Sequence, residues 1–367
     1  MELAFLLLWS VAQEEKTETV VIRAGRIWTV SKGVIEDGVV LIRKGKIERV
    51  GRGIDAPLDA KVLDFGKDAC VSPGFIDMHS HLGSAFDTDE DLEAVTPKVR
   101  AIDAFSSTHP DVAEAAKSGV TLVALSPGDG NLIGGRIGLV RLSGGTFDRL
   151  VFRESVALKM CLTTKALARD RRPTSKAGAV ELLRRLFRDA DGEVGTLFFK
   201  QGLPAVVRVS STDEIQRATA LRQEFGFKLI LLGAEEGLHA IDDVKRVSAG
   251  VALGPMRVSD VRRKLELPGR LSRAGVRIGF SSDAPSADES YLRVSAALAV
   301  KYGLDRDDAM RALSLWPAEM LGVADQLGSL DEGKLADIVV YGGHPLSLAS
   351  PVELVLVDGR IVYQRKK

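Results

Sequence analysis

The chain has 367 residues, of which 45% are hydrophobic and 27% are charged, with 50 basic and 50 acidic side chains. This composition excludes an intrinsically disordered chain, and the charge balance excludes the basic footprint of a nucleic-acid-binding protein. Two cysteines, Cys70 and Cys161, are too few for a disulfide framework and too far apart for a zinc clip. Buried free thiols are the remaining interpretation.

The first twelve residues hold an apolar run, Leu3 to Trp9, followed by Ser-Val-Ala, a small-x-small pattern typical of signal-peptide cleavage. The run is shorter than the ~20 residues that span a bilayer. Glu2 also stands where a signal peptide usually carries positive charge. Residues 1–12 therefore predict either a signal peptide on a secreted or periplasmic protein, or the start of a cytoplasmic one. No other segment is apolar enough to span a membrane.

Short β-branched runs separated by turn residues occupy both ends of the chain. The first group is TVVIRAGRIWTV, GVVLIRKGKIERVG and AKVLDFG, and the last forty residues add KLADIVVYGG and VELVLVDGRIVYQ. In the last run, Asp358-Gly359 is a strong signal for a two-residue hairpin turn. Since neither group has much core of its own, we expect residues 18–71 and 325–367 to pair into one composite β-sandwich.

Residues 72–324 alternate short apolar strands with amphipathic helical patterns, which is typical of parallel βαβ units. The stretch has the size of an eightfold barrel, about 250 residues. We predict a (β/α)8 TIM-like barrel, with the active site at the C-terminal ends of its strands. The eight predicted strands are residues 75–81, 119–125, 137–142, 155–160, 204–210, 227–233, 249–254 and 275–283.

Asp77, His79 and His81 alternate along the first barrel strand, so the sequence places them on one face. His81 falls at the end of that strand, where a barrel carries its chemistry. Two neutral imidazoles there could bind one divalent ion. Hydrogen-bonded core histidines are the alternative interpretation.

The eighth strand runs into Ser282-Asp283, and the first and eighth strands are neighbours in a closed barrel. A carboxylate there would face the histidine pair, able to ligate a metal or to take a proton from metal-bound water. The alternative makes Asp283 an ordinary helix N-cap before Ala284-Pro285.

The segment from Val71 to His81, VSPGFIDMHSH, resembles the entry motif of the amidohydrolase superfamily. Further segments resemble the imidazolonepropionase-like branch of that superfamily and fall in the expected order. The similarity covers about Thr19 to Gln364, nearly the whole chain. The further segments are NLIGG at 131–135, Ser282-Asp283, WPA at 316–318 and GSLDEGKLAD at 328–337.

The resemblance implies a metal-bound water that attacks the carbonyl carbon of a small-molecule amide or cyclic amide. It implies His79 and His81 as metal ligands and Asp283 as both ligand and proton shuttle. Lys159 stands where some relatives carry a carboxylated, metal-bridging lysine, with a solvated strand-end lysine as the alternative. The implied cofactor is a divalent metal, with Zn²⁺ as first choice and Mn²⁺ or Fe²⁺ as alternatives. Homo-oligomerisation stays open.

Two ligand positions, and one position next to a ligand, depart from the family pattern. Relatives also supply histidines from strands five and six, whereas Ser210 and Gly233 stand at those positions here, and Ala284 follows Asp283 where the branch often has another histidine. With three ligands left, we expect one metal rather than two. Arg208 would oppose cation binding if its side chain faces the site.

The remaining histidines offer one substitute ligand. His344 falls among the C-terminal strands and His109 precedes Pro110 at a helix start, so both are expected to be structural. His239 could reach the site from the loop after strand six, although a solvent-facing side chain is the simpler interpretation. Two hypotheses follow: a hydrolase with a reduced metal site, or a catalytically impaired barrel retained as a binding or structural protein.

The segment from Gly128 to Gly138 is rich in glycine. It lacks the Gly-Lys-Ser/Thr ending of a P-loop and the spacing of a dinucleotide fingerprint. We therefore interpret it as a turn above the second strand.

Overall fold

The computed structural model describes residues 19–84, 88–90, 92–144 and 147–366. The segment predicted as a signal peptide, residues 1–12, lies outside them, so the expectation about cellular location stays a prediction. Eight strands come from the two ends of the chain. They are β1 (Val20–Trp28), β2 (Val34–Arg43), β3 (Lys46–Gly51), β4 (Lys61–Asp64), β5 (Cys70–Pro73), β14 (Ile338–Tyr341), β15 (Val352–Val357) and β16 (Arg360–Gln364).

These terminal strands form one sheet in the order β16-β15-β14-β5-β1-β2-β3, with β4 also paired to β1. The predicted pairing of the two chain ends is therefore confirmed. The sheet branches at β1, whose first half pairs with β4 and whose second half pairs with β5. Between β15 and β16, Asp358 and Gly359 have φ of 56° and 70°, as expected for a hairpin turn with two left-handed residues.

The middle of the chain forms a second, nearly closed eight-stranded sheet in sequential order from β6 to β13. Together with the terminal sheet, it confirms the predicted fold class of an α/β barrel plus a small β-domain. The strands are β6 (Phe75–Ser80), β7 (Val120–Leu125), β8 (Ile133–Arg141), β9 (Val151–Cys161), β10 (Ala205–Val209), β11 (Leu229–Gly233), β12 (Ser248–Leu253) and β13 (Ile278–Phe280).

The third barrel strand departs from the prediction. We expected parallel βαβ units throughout, but β8 pairs antiparallel with both β7 and β9. Only residues 126–132 join β7 to β8, and residues 142–150 join β8 to β9. A parallel crossover needs a dozen or more residues, so these short connections dictate hairpins.

The helices mostly follow the barrel strands and pack outside them. In α5, Ser211 and Glu214 form a capping box at the start, and Gly226 ends the helix with φ of 80°. No helix in the described part of the chain is both long and apolar enough to cross a bilayer. The helices are α1 (Pro110–Lys117), α2 (Phe147–Leu150), α3 (Lys176–Arg188), α4 (Glu193–Gly195), α5 (Thr212–Phe225), α6 (Ile241–Val247), α7 (Arg262–Arg273), α8 (Tyr291–Lys301), α9 (Arg306–Leu313) and α10 (Leu315–Met320).

A buried apolar cluster fills the barrel and includes Met78, Val206 and Ile230. Met320 of α10 joins it and packs so closely on Gly250 that a Cβ there would clash, whereas a Cβ at Gly279 would clash with Met78. Cys70 and Cys161 are buried and free, as predicted. Apolar side chains occupy the barrel interior, so the candidate polar side chains are found at the C-terminal ends of the barrel strands.

Candidate functional site

The end of β6 is hydrogen-bonded to the chain that follows β13, and these bonds close the barrel. Alternate residues of β6 bond successive residues of that segment, so the predicted proximity of the first and eighth strands is correct. The Asp77 carboxylate accepts the Ser282 N–H (3.1 Å), the His79 carbonyl accepts the Asp283 N–H (3.2 Å), and the His81 N–H donates to the Ala284 carbonyl (2.9 Å).

His79 and Asp283 form a direct pair, with 2.8 Å between Nδ1 and Oδ1. Burial lowers the pKa of His79 to about 3, assisted by the charges of Lys159 and Arg208 and opposed by Asp283. A neutral imidazole has one N–H, and a carboxylate can only accept, so Nδ1 donates and Nε2 keeps a lone pair. That Nε2 is buried and has no hydrogen-bond partner among the described residues.

His81 is held in the same tautomer. Its Nδ1 lies 2.9 Å from the carbonyl oxygen of Ser126, which can only accept, so Nδ1 again carries the proton. Burial, followed by the charge of Lys159, lowers the pKa of His81. The two imidazole rings are perpendicular, with centroids 5.0 Å apart. Both histidines are therefore neutral, with the proton on Nδ1 and a lone pair on Nε2.

Asp283 does not cap a helix, so that alternative is wrong. It has φ of 53°, in the left-handed region that non-glycine residues rarely adopt, and α8 begins only at Tyr291. Such strain is typical of functional sites. Burial alone would raise the pKa of Asp283, but the hydrogen bond with His79 and the charge of Arg208 outweigh burial and hold the pKa below its usual range. Asp283 is therefore ionised.

Arg208, on β10, points into the site. Its Nη2 donates to Asp283 Oδ1 at 3.1 Å, and its Nε lies 3.2 Å from an oxygen of Asp129. Burial alone would lower the pKa of the guanidinium, but these two carboxylates raise it. A permanent positive charge thus lies beside the predicted metal ligand Asp283. From the sequence, we expect this arrangement to oppose cation binding.

Lys159, on β9, is fully buried, so the alternative of a solvated strand-end lysine is wrong. Its Nζ donates to Asp129 Oδ1 at 2.6 Å, to the Gly128 carbonyl at 3.0 Å and to the Pro127 carbonyl at 3.4 Å. Three acceptors match the three N–H bonds of an ammonium group. A carboxylated lysine would instead place a second negative charge against Asp129. These contacts disfavour the predicted role of Lys159 as a metal ligand.

Asp129 was missed by the sequence analysis, which interpreted its glycine-rich segment only as a turn. Burial would raise its pKa, but Lys159 and Arg208 lower it well below the usual range. Lys165 adds a third cation, 3.3 Å from Oδ2. A usable signal existed, because Asp129 follows the C-terminal end of β7, where barrel active sites collect charged side chains.

The residues present do not fit a divalent metal ion in this conformation. Asp283 Oδ1 is shared between His79 and Arg208, so the oxygen nearest the imidazoles is already engaged. Among the described residues, no three histidine, cysteine, aspartate or glutamate side chains could jointly hold a metal. Two basic side chains, Lys159 and Arg208, form ion pairs here instead.

The altered family positions have structural explanations. Gly233 ends β11 with φ of 89°, and a Cβ there would lie 2.8 Å from the carbonyl oxygen of Val209. Ser210 is exposed, and its N–H donates to Glu214 Oε2 at 2.9 Å at the start of α5. A histidine would be strained at the first position and would face solvent at the second.

The other three histidines have contacts of their own. His239 is exposed and lines a separate cavity of about 120 Å³ with Arg263 and Glu236. His109 caps α1 by accepting the Asp111 N–H at 3.4 Å. His344 accepts the Leu346 N–H at 3.0 Å, which agrees with the expected structural role. Of these three described residues, His109 shares a cavity with His81, whereas His239 and His344 do not.

A cavity of about 310 Å³ opens at this end of the barrel, which we call the mouth cavity. His81, Asp129, Arg208 and Asp283 all line it. The Asp283 side chain is 22% exposed, whereas the His79 side chain behind it is 1% exposed. The cavity therefore offers an ionised carboxylate and a guanidinium to a small ligand, with an imidazole behind the carboxylate.

Comparison with known proteins finds similar sequences and structures. A profile described as "Amidohydrolase family" matches residues 239–363. An amidohydrolase from Thermotoga maritima has a TM-score of 0.87 and 28% identity, over 94% of this chain and 100% of that one. The imidazolonepropionase of Sphingopyxis alaskensis is 25% identical, over 88% of this chain and 89% of its own length.

The "Amidohydrolase tasK" of Hapsidospora irregularis is also 25% identical over 88% of this chain, which spans 39% of that longer protein. The T. maritima structure therefore shares the overall fold described above, and the matched relatives cover most of the chain in sequence. The chain is therefore similar in sequence and fold to amidohydrolases, an imidazolonepropionase among them.

Proposed function

We propose that the protein hydrolyses a carbon–nitrogen bond in a small amide or cyclic amide bound at the mouth cavity. The observation that carries this proposal is the ionised Asp283, held at the end of the barrel by His79 and exposed to that cavity beside Arg208. Kinship with amidohydrolases and an imidazolonepropionase supports the reaction class.

In this proposal Asp283 takes a proton from a water molecule as the water oxygen attacks the substrate carbonyl carbon. The carbon–nitrogen bond then breaks, and the proton passes from Asp283 to the leaving nitrogen. A carboxylate with a lowered pKa is a weak base, so catalysis also needs stabilisation of the negative charge that develops on the carbonyl oxygen. Arg208, 3.1 Å from Asp283, is placed to supply it.

His79 acts as a positioning residue. Its Nδ1–H donates to one oxygen of Asp283. Because the imidazole is neutral, it orients the carboxylate without neutralising its negative charge. A change of His79 would therefore lower kcat mainly through misplacement of Asp283, with little effect on KM.

The test is a panel of imidazolonepropionate, other cyclic amides and linear amides, including cationic ones. We expect turnover of at least one, and Asp283→Asn should lower its kcat by about 10²–10⁴-fold. Asp242→Asn, an exposed carboxylate on α6, is the matched control and should leave kcat unchanged. Absence of turnover across the panel would favour the catalytically impaired alternative.

A single divalent metal held by His79, His81 and Asp283 stays a prediction from the resemblance. Binding would require Arg208 to release Asp283. Metal content after loading with zinc, manganese or iron tests this directly. About one equivalent in the wild-type protein would support the metal site, whereas little metal in the wild type and a gain in Arg208→Met would identify the guanidinium as the obstacle.

A further inference from the structure

A second cavity, of about 690 Å³, lies beside the mouth cavity, and His81 lines both. Its walls are α1, the residues after β6, and the segment between Asp283 and α8. Leu82, Ala115 and Pro285 contribute apolar surface. We call this space the side cavity. Its volume lies within the range of small-molecule sites.

The polar lining of the side cavity is mainly acidic, with Asp111, Glu114, Asp288 and Glu289 against Lys117 and His109. The outer carboxylates have local partners. Glu114 forms an ion pair with Lys117 at 2.5 Å, and Asp288 accepts the Ser290 N–H at 2.9 Å. These contacts give partners to the carboxylates at the rim of the cavity but not to the carboxylate of its inner wall.

Glu289 forms that inner wall and is only 4% exposed. Its Oε1 has no hydrogen-bond partner among the described residues. The charges that most influence it come from Asp77 on β6, Asp111 on α1 and the adjacent Asp288, and all are negative. Burying a carboxyl oxygen without a hydrogen-bond partner costs free energy. A hydrogen-bond donor placed next to Glu289 Oε1 would therefore stabilise the folded protein.

We propose that the side cavity binds a positively charged group of the substrate, an ammonium or guanidinium, with Glu289 as its counter-charge. A cationic donor would give Oε1 a charge-assisted hydrogen bond and relieve its repulsion from Asp77, Asp111 and Asp288. The apolar lining would cover the carbon chain that joins this group to the amide. The identity of the ligand as substrate rests on the proposed function, whereas the preference for a cation does not.

The preference can be measured on the wild-type protein with three probes of similar shape. These are phenethylammonium, the neutral phenethyl alcohol and the anionic 3-phenylpropionate, titrated by calorimetry at about pH 9, where Glu289 is ionised because its pKa is raised to about 8. We expect the ammonium ion to bind about tenfold more tightly than the alcohol, and the carboxylate to bind most weakly. Equal affinities, or no binding of the ammonium ion at millimolar concentration, would overturn the proposal.

Glu289→Gln locates the effect, because it removes the charge and keeps the shape. It should abolish the tenfold preference for the cation. Glu114→Gln is the matched control, since Glu114 lines the same cavity but is exposed and paired with Lys117, and affinity should change by less than about twofold. If Glu289→Gln fails to fold, as judged by thermal melting, the wild-type probe series still decides.

Binding is measured without turnover, so the two proposals fail separately. A protein that hydrolyses amides but binds the three probes equally would retain the hydrolase and lose the cation site. A protein that prefers the cation through Glu289 but turns over no amide would retain the site and lose the hydrolase.

Discussion

The two sides of the barrel mouth are built on different principles. On the side of β6 and β13, neutral His79 and His81 and the carboxylate Asp283 keep the side chains of the family motif. On the side of β9 and β10, Lys159 and Arg208 surround Asp129. The first side retains groups suited to metal or proton chemistry, while the second supplies fixed positive charge from the protein itself.

The second side also balances the charge of the first. Asp129 and Asp283 are negative, and Lys159 and Arg208 are positive, so these four groups sum to zero. Arg208 bonds both carboxylates and is the link between the two sides. One family motif can therefore persist while the electrostatics around it are rebuilt. The predictions below test whether the second side is a structural necessity.

The largest expected effect is that of Asp129→Asn. It would leave Lys159 buried without a counter-ion, and removal of one partner of a buried pair costs about 3–5 kcal/mol of unfolding free energy. Urea denaturation near neutral pH measures this loss. Because the folded pKa of Asp129 lies below its ordinary value of 3.8, its stabilisation is present above that pH and should fade as pH falls below it. A loss below about 1 kcal/mol would show that the ion network is dispensable.

Gly233→Ala tests why the family histidine is absent from β11. The left-handed φ and the 2.8 Å approach to the Val209 carbonyl should together cost about 2–3 kcal/mol in urea denaturation. Gly226→Ala is the matched control, since its φ is 80° but no atom lies within 4 Å of the added Cβ, and its cost should be about 1 kcal/mol. Equal losses would mean that the close approach is irrelevant.

Glu289→Gln should change the pH dependence of stability. Burial, followed by repulsion from Asp77, raises the pKa of Glu289 from 4.5 to about 8. A raised carboxyl pKa stabilises the fold below 4.5, and this contribution is lost as pH rises through about 8. The variant has no such loss, so its stability relative to the wild type should increase by about 1–2 kcal/mol between pH 7 and pH 9. The same stability difference between variant and wild type at both pH values would contradict this.

Lys165→Met should have the smallest effect. Lys165 contacts the same carboxylate as Lys159, but its side chain is 71% exposed. Solvent screens such pairs, so the unfolding free energy should change by less than about 0.5 kcal/mol. A loss as large as that of Asp129→Asn would show that exposure does not separate the two lysines.

Much of the fold could be predicted from the sequence, because hydrophobic periodicity and turn residues are local signals. They gave the pairing of the two chain ends, the eight barrel strands and the turn at Asp358-Gly359. The predicted direction of β8 was wrong because the apolar pattern of a strand does not indicate in which direction the strand runs. The short connections on either side of β8 were the only signal for it.

By itself, the sequence determined where the candidate site lies: the spacing of His79 and His81 and the position of Asp283 place these residues at the ends of two neighbouring strands. Only the tertiary structure decided what surrounds these residues. Asp129, Lys159, Arg208 and Glu289 are far apart along the chain, and their charge states depend on burial and on partners brought together by folding. A side-chain pKa is set by its three-dimensional surroundings, which no local pattern encodes.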